Sequence, residues 1–250
     1  MNTLHTQWRK DYEASFEGWD FSYLDGRWLE GQLSWDYKAL ARQLVQKSKA
    51  VLDMGTGGGE RFTSLAPFPE HATAIEGWKP NLAVARRRLE PLGVRVLEVT
   101  EWDNLPFADG EFDTVLNRHS AFQAKEVFRI LKAGGVFLTQ QVGGGDLIDL
   151  IGEFDGAPQY GDWTLNSLIK QIQGAGFRIK GAEEWEGKVE FRDVGAIVYF
   201  LKAIPWVVKD FSVDNNLRHL EGLQRRIDGG EKLAFTQVRF IVLAEKSGEE

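Results

Sequence analysis

The stretch that decides the fold is Val51-Leu52-Asp53-Met54-Gly55-Thr56-Gly57-Gly58-Gly59-Glu60. An apolar run that ends in an acid and continues into glycines indicates a buried strand, a tight turn and the start of a helix. Glycine adopts positive φ readily and lets a ligand approach closer than a Cβ atom would allow. The stretch therefore predicts a ligand-binding turn.

The spacing of the glycines excludes two phosphate-binding turns. A dinucleotide fingerprint needs a glycine three places after Gly57, where this chain has Glu60, and a carboxylate there would repel a pyrophosphate. No Gly-Lys-Ser/Thr follows, so the P-loop of nucleoside triphosphate-binding proteins is excluded too. The remaining ligand is a nucleoside without phosphates, and the alternative is a plain strand-to-helix turn.

A second predicted strand, residues 71–76, also ends in an acid, Glu76, before Gly77. An acid at the tip of the strand after a glycine turn is placed to accept hydrogen bonds from both ribose hydroxyls. Together with Asp53 and the glycines, this acid makes the sequence resemble the class I S-adenosylmethionine-dependent methyltransferases.

Two later segments extend this resemblance. Residues 97–116 are similar to the family's third strand, adenine loop, Leu-Pro-Phe signature and fourth strand, and residues 129–138 are similar to the helix, turn and fifth strand that follow. The resemblance implies an α/β fold with a doubly wound, Rossmann-like sheet of seven strands. The sheet would be mostly parallel, with the last strand antiparallel between the fifth and the sixth.

The resemblance also implies a cofactor, S-adenosyl-L-methionine, which becomes S-adenosyl-L-homocysteine on methyl transfer. Asp53 would hold the ammonium group of its methionine part, and Glu76 would accept from the ribose. In the adenine loop the family's acid aligns with Glu101, and Asp103 is the competing choice. The expected cofactor-binding residues are Asp53, Gly55, Thr56, Gly57, Glu76, Gly77, Glu101, Trp102 and Asn117.

The loop after the fourth predicted strand, Asn117-Arg118-His119-Ser120, holds the candidate catalytic residue. His119 lies at the edge where such sheets bind ligands, and its unperturbed pKa near neutrality suits a base. The alternative is a structural histidine. The loop lacks the Asn-Pro-Pro-Tyr pattern of adenine and glutamine amino methyltransferases, and no metal site is expected. The expected acceptor-pocket residues are Arg118, Ser120, Tyr199 and Trp206.

The chain divides into three parts. Residues 1–49 contain four of the nine tryptophans and are expected to form an N-terminal helical cap. The core comprises residues 50–189 and 234–246. Residues 190–233 replace a short hairpin of the family, and we expect either an inserted helical lid or a stabilising helical hairpin. We expect the acceptor between the cap, the loop at residues 117–120 and this insertion.

The amino-acid composition limits the kinds of ligand and partner that the protein can have. The formal charge of −7 and the pI near 5.3 argue against a nucleic-acid partner, because phosphate binding needs a basic face. The absence of cysteine excludes disulfides, thiol nucleophiles and cysteine zinc sites. No apolar run is long enough to span a bilayer, so a cytoplasmic protein is expected.

The predicted function is methyl transfer to a small-molecule acceptor. One alternative is an RNA base methyltransferase, because residues 193–206 loosely resemble the corresponding region of bacterial ribosomal RNA guanine-N1 methyltransferases. Those enzymes begin with a cysteine zinc module, which this chain lacks. The second alternative is a non-catalytic nucleoside-binding interaction protein.

Overall fold

The computed structural model describes residues 3–248, which build one eight-stranded sheet with helices on both faces. The helices are α1 (Thr3–Glu13), α2 (Tyr37–Lys47), α3 (Glu60–Thr63), α4 (Lys79–Leu89), α5 (Ala124–Ile130), α6 (Ile148–Glu153), α7 (Leu165–Gly174), α8 (Val194–Ala203) and α9 (Leu217–Asp228). The strands are β1 (Trp28–Glu30), β2 (Ala50–Met54), β3 (His71–Glu76), β4 (Arg95–Glu98), β5 (Phe112–Arg118), β6 (Leu131–Val142), β7 (Phe177–Phe191) and β8 (Leu233–Lys246). Short 3-10 turns cover Ser22–Leu24 and Glu90–Leu92.

The strand order is β1-β7-β8-β6-β5-β2-β3-β4. Strands β2 to β6 pair in parallel, and β8 runs antiparallel between β6 and β7. This confirms the predicted doubly wound sheet with its antiparallel last strand. The predicted count of seven strands is wrong, because β1 pairs antiparallel with the edge of β7. A three-residue strand is too short to show an alternating pattern in the sequence.

The central strands are buried on both faces. In β5, Val115 packs in the apolar cluster that contains residues of α5 and α7, whereas Leu116 packs in the cluster that contains residues of α2, α3 and α4. Both side chains are fully buried, and burial of a side chain of this size stabilises the fold by about 1.5–3 kcal/mol. Their alternation continues along the strand, so Arg118 shares the face of Leu116 and Asn117 the face of Val115.

Strands β7 and β8 extend past the carboxyl edge of the parallel strands. The pairing of β6 with β8 ends at Val142 and Arg239, whereas β7 and β8 continue for six more residue pairs to Phe191 and Leu233. At 3.4 Å per residue this hairpin projects about 20 Å. Because ligands of such sheets bind at the carboxyl edge, the segment at the hairpin tip lies on the ligand side.

That segment, residues 192–232, lies between the end of β7 at Phe191 and the start of β8 at Leu233, within the range 190–233 for which an insertion is predicted. Nine of the ten residues of α8 are buried. They pack with Trp8 of α1, with Phe191 and Phe235 of the hairpin, and with α9, in a cluster that we call the insertion core. Helix α8 is therefore a structural element of this core.

The guanidinium of Arg27 joins the N-terminal segment to the insertion. It lies 2.9 Å from Asp11, whose side chain is fully buried, and 2.5 Å from Asp193. Asp193 also accepts from the backbone N–H of Ala196 and so caps α8, and the hydroxyl of Tyr23 donates to Asp11 at 2.7 Å. We call these charged groups, Asp11, Arg27 and Asp193, the clamp.

We expect Arg27→Ala to lower the free energy of unfolding by about 3–5 kcal/mol, because it leaves the buried Asp11 carboxylate without its cation. Urea unfolding measures this. Arg9→Ala is the control, since Arg9 pairs with Asp214 at the surface and its loss should cost less than about 1 kcal/mol. Equal costs for the two variants would show that the clamp contributes no more than a surface pair.

Candidate functional site

The glycine turn is held in a conformation that other residues rarely adopt. Gly55, Gly57 and Gly59 have φ values of 65°, 62° and 83°. A Cβ atom on Gly55 would lie 2.1 Å from the hydroxyl oxygen of Ser120, and one on Gly57 would lie 3.4 Å from the Cβ atom of Trp19. The loop after β5 and the N-terminal segment therefore both lie against this turn.

The carboxylate of Glu76 fastens the turn to the tip of β3. One oxygen accepts from the backbone N–H of Gly57 at 2.7 Å, and the other accepts from Gly77 and Trp78 at 2.9 Å each. The side chain is 8% exposed. Because a carboxylate has about four acceptor positions, one remains for a ligand hydroxyl.

Asp53 lies near the carboxyl end of the neighbouring strand, β2, and the pKa of its carboxyl group is raised. Burial raises the pKa of Asp53 to about 7, Thr56 and Arg118 oppose this rise, and Glu76 adds to it. A cation placed beside such a carboxyl favours the ionised form. The hydroxyl of Thr56 is buried beside the Asp53 carboxyl group, whose ionised form it favours.

The expected adenine side of the site follows β3 and β4. A Cβ atom on Gly77 would lie 2.8 Å from the carbonyl oxygen of Val99 and 3.8 Å from the ring of Trp102. The structure thus brings Gly77 and Trp102 together next to Glu76. Glu101 and Asp103 are both exposed, so their surroundings favour neither as the adenine partner.

Asn117 is fully buried at the end of β5 and is only half satisfied. Its Oδ1 accepts from the Thr139 hydroxyl at 3.0 Å and from Gln141 Nε2 at 2.6 Å. Its Nδ2 has no partner within the described part of the chain. Because a buried unpaired donor is costly, this amide is available to a ligand acceptor.

His119 is held neutral by its neighbours. The indole N–H of Trp35 donates to Gln140 Oε1 at 2.8 Å, which leaves the amide group of Gln140 to donate to His119 Nε2 at 2.9 Å. Burial lowers the pKa of His119 well below 6.5, and the cations of Arg118, Arg239 and Arg61 lower it further. The lone pair that a base would use is therefore engaged, and the catalytic role of His119 stays a prediction that requires Gln140 to move.

Arg118 is a mostly buried cation on the same face as Asp53. Burial lowers its pKa to about 10, with Arg61 adding to this effect, so the guanidinium remains charged at neutral pH. Within residues 3–248 it forms neither an ion pair nor a hydrogen bond, and its interactions with Asp53, Tyr37, Arg239 and Glu30 are electrostatic only. The hydroxyl of Tyr37 is also buried without a partner in these residues.

Comparison with known proteins identifies the core. Residues 52–139 match a family model described as a methyltransferase domain. This part of the chain is similar to a methyltransferase domain. This confirms the resemblance predicted from the glycine turn, and the matched range runs from β2 through Thr139 in β6.

A curated relative matches a stretch of this chain. It is a protein-L-isoaspartate O-methyltransferase of a Bradyrhizobium strain, 36% identical over 74 residues, which are 29% of this chain. The match spans about a third of the length of that relative, 34%. The match covers too little of that relative for its acceptor to be inferred for this chain.

Solved structures share the fold beyond the matched domain. A Bacillus halodurans protein described as a methyltransferase has a TM-score of 0.62 at 19% identity, covering 84% of this chain and 99% of its own. The YcgJ protein of Bacillus subtilis has a TM-score of 0.61 at 17% identity, covering 85% and 98%. The [4+2]-cyclase SpnF covers 98% and 93% with a TM-score of 0.54 at 16% identity. Because one of these proteins is a cyclase, the fold leaves the reaction open.

The residues of the methyltransferase domain fit the cofactor that the family implies. Glu76 retains an acceptor position for the ribose, and Asp53 can ionise beside an ammonium group. Asn117 presents a buried amide nitrogen without a partner among the described residues. The turn has glycines where side chains would collide with neighbours. These groups therefore fit S-adenosylmethionine.

One predicted pocket residue is misplaced. Tyr199 is 1% exposed, stacks on Tyr23 at 4.4 Å and donates to the carbonyl oxygen of Ser15 at 3.2 Å, so it belongs to the insertion core. An apolar run containing an aromatic residue looks the same in sequence whether it lines a pocket or fills a core. Trp206 is 49% exposed and stacks on Trp19, with ring centroids 6.1 Å apart and planes 4° apart.

Sequence reasoning missed three residues that the structure brings to the site. Trp35 and Tyr37 precede or begin α2, and Gln140 lies on β6 beside Arg118 in the register of the sheet. The abundance of aromatic residues before residue 49 was the only signal for the first two. A polar glutamine within a buried strand indicates a buried hydrogen-bond network. Gln140 could have been found from this contrast between a polar side chain and a buried position.

We expect Asp53→Asn to flatten the pH dependence of stability. An unfolded aspartate titrates near 3.9 and folded Asp53 near 7, so the folded chain binds an extra proton between these values. The stability gained by this proton is lost as pH rises through 7, with a slope of at most about 1.4 kcal/mol per pH unit. Urea unfolding from pH 5 to pH 8 measures it, with exposed Asp103→Asn as control. Parallel curves for wild type and Asp53→Asn would contradict the buried carboxyl.

Proposed function

We propose that the protein transfers the methyl group of S-adenosylmethionine to a small-molecule acceptor. The observation that carries this proposal is the arrangement of Glu76 and Asp53 at adjacent strand tips, joined by a glycine turn that Glu76 itself fastens. Ribose hydroxyls and an ammonium group are the complementary ligands of these two carboxylates. The methyltransferase domain over residues 52–139 supports the same assignment.

The chain's own residues would act mainly by positioning. The bound cofactor supplies an activated methyl group, so a base contributes little unless the acceptor must lose a proton. Glu76 would fix the ribose, Asp53 the ammonium group, and the ring of Trp102 beside Gly77 the adenine. Holding both reactants in line is a large part of the rate acceleration of such transfers.

The N-terminal segment and the insertion would exclude water together. Trp19 lies against Gly57 of the turn and stacks on Trp206 of the insertion. The clamp fixes both segments to each other at a second place. We therefore propose that residues 204–216, which follow the buried α8, form the part of the insertion that borders the acceptor, and that the loop at residues 117–120 borders it from the sheet.

The RNA alternative receives less support from the contacts. The segment that loosely resembles the guanine-N1 methyltransferases contains α8, and nine of its ten residues are buried, so they present little surface to a nucleic acid. Arg218 and Arg226 of α9 are engaged with Asp155 and Glu153. We place a small molecule first for this reason.

Calorimetry tests the cofactor assignment. We expect micromolar affinity for S-adenosylhomocysteine and no binding of NAD. The double variant Asp53→Asn Glu76→Gln should weaken binding about a hundredfold or more, because each charge-assisted hydrogen bond contributes about 1.5–3 kcal/mol. Glu60→Gln is the matched control, since this carboxylate lies in the same turn but pairs with Arg88. Wild-type affinity in the double variant would refute the proposed site.

A gel shift tests the RNA alternative. A protein that binds single-stranded RNA through phosphates loses affinity with a log-log salt slope of about −0.7 per contact. From the acidic balance we expect no shift of ribosomal RNA fragments at physiological salt. A shift that titrates away with added salt would reverse the order of the two candidates.

A further inference from the structure

Arg118 is an unexplained charge in the site. It is mostly buried and carries no ion pair or hydrogen bond in the described part of the chain. The carboxyl groups of Asp53 and Glu30 act on it through space, but neither forms an ion pair with it, and proteins usually pair a largely buried guanidinium directly. Arg239 at the same edge has its partner, Asp146, with which it forms a close ion pair. An anionic ligand is therefore the missing complement of Arg118.

The position of Arg118 relative to the two carboxylates indicates which ligand this is. Glu76, Asp53 and Arg118 project from the same face of β3, β2 and β5, which are consecutive in the sheet. A cofactor that runs from its ribose at Glu76 to its ammonium group at Asp53 spans β3 and β2. Arg118 lies one strand further, toward β6 and β8, where the acceptor would lie.

The surroundings of Arg118 suit a single negative charge. The buried Tyr37 hydroxyl, which has no partner among residues 3–248, interacts electrostatically with both Arg118 and Asp53 and can donate one hydrogen bond. The carboxyl groups of Asp53 and Glu30 interact electrostatically with Arg118, and they would repel a ligand with two negative charges. A guanidinium matches the two oxygens of a carboxylate in a bidentate pair.

We propose that the methyl acceptor is a carboxylic acid whose carboxylate is bound by Arg118 and by the hydroxyl of Tyr37. This inference rests on the proposed methyl transfer and names its substrate class. Arg118 and Tyr37 would orient the acceptor, with the atom that receives the methyl group directed toward the cofactor. The carboxylate need not be that atom.

The first measurement separates the acceptor from the cofactor, which has a carboxylate of its own. Calorimetry compares S-adenosylhomocysteine with 5′-methylthioadenosine, which lacks the amino-acid end, on wild type and Arg118→Met. We expect the affinity for S-adenosylhomocysteine to change less than about threefold in the variant. A selective loss of S-adenosylhomocysteine, with 5′-methylthioadenosine unchanged, would assign the anion to the cofactor and overturn the acceptor proposal.

The second measurement uses small carboxylates as probes. The melting temperature of the full chain saturated with S-adenosylhomocysteine is recorded with acetate or benzoate, and with acetamide or benzamide as uncharged matches. We expect stabilisation by the carboxylates only, with the apparent dissociation constant raised about tenfold or more in Arg118→Met and less in Tyr37→Phe. Arg178→Met, which removes an exposed guanidinium paired with Glu245, should behave as wild type.

Every other outcome counts against the inference. Equal stabilisation of wild type and Arg118→Met, or equal effects of carboxylate and amide, would show that Arg118 binds no carboxylate. Stabilisation by inorganic phosphate at the same concentrations would show that the site does not select a carboxylate, and this would contradict the proposal. Failure of wild type to bind S-adenosylhomocysteine would instead refute the proposed function, so the two failures are distinct. The melting temperature without ligand reports whether Arg118→Met folds, and removal of an unpaired buried charge should not lower it.

Discussion

Three backbone N–H groups converge on the carboxylate of Glu76, and the site depends on this interaction. The groups belong to Gly57, in the glycine turn, and to Gly77 and Trp78, which follow β3. The same side chain thereby sets the distance between the turn and the adjacent strand tip. A ribose acid that only touched its ligand could move with it, whereas Glu76 is held in place by the backbone before any ligand arrives.

The second constraint is the clamp at Arg27, which joins segments far apart in the sequence. Asp11 and Asp193 are brought to one guanidinium, and a Cβ atom on Gly195 would lie 2.0 Å from an Asp11 carboxylate oxygen. The packing of the N-terminal segment therefore depends on its contacts with α8 and with the residue that caps it. These contacts join residues that are far apart in the sequence.

The sequence predicted those parts of the site that depend on local spacing. Asp53 and Glu76 were found because each ends an apolar strand before glycine, and the structure places both at one edge of the sheet.

The strand Trp28–Glu30 was missed because it is an edge strand specified by its partner β7. Tyr199 was misplaced because its burial depends on α1 and the N-terminal rings, which are distant in sequence. Tyr37 contributes to the site through a hydroxyl group without a hydrogen-bond partner among the described residues, and Gln140 through its hydrogen bond to His119. The order of residues in a sequence does not show which polar atoms form hydrogen bonds with one another.

The stack of Trp19 on Trp206 has a spectroscopic consequence. Two indole rings with planes 4° apart and centroids 6.1 Å apart are close enough for their electronic transitions to couple. The coupling would give a circular-dichroism couplet in the far ultraviolet, where indole absorbs most strongly, that an isolated tryptophan lacks. One ring belongs to the N-terminal segment and the other to the insertion, so separation of these two segments would remove the couplet. The protein thus contains an intrinsic optical reporter of the contact between them, and no attached dye is needed to read it.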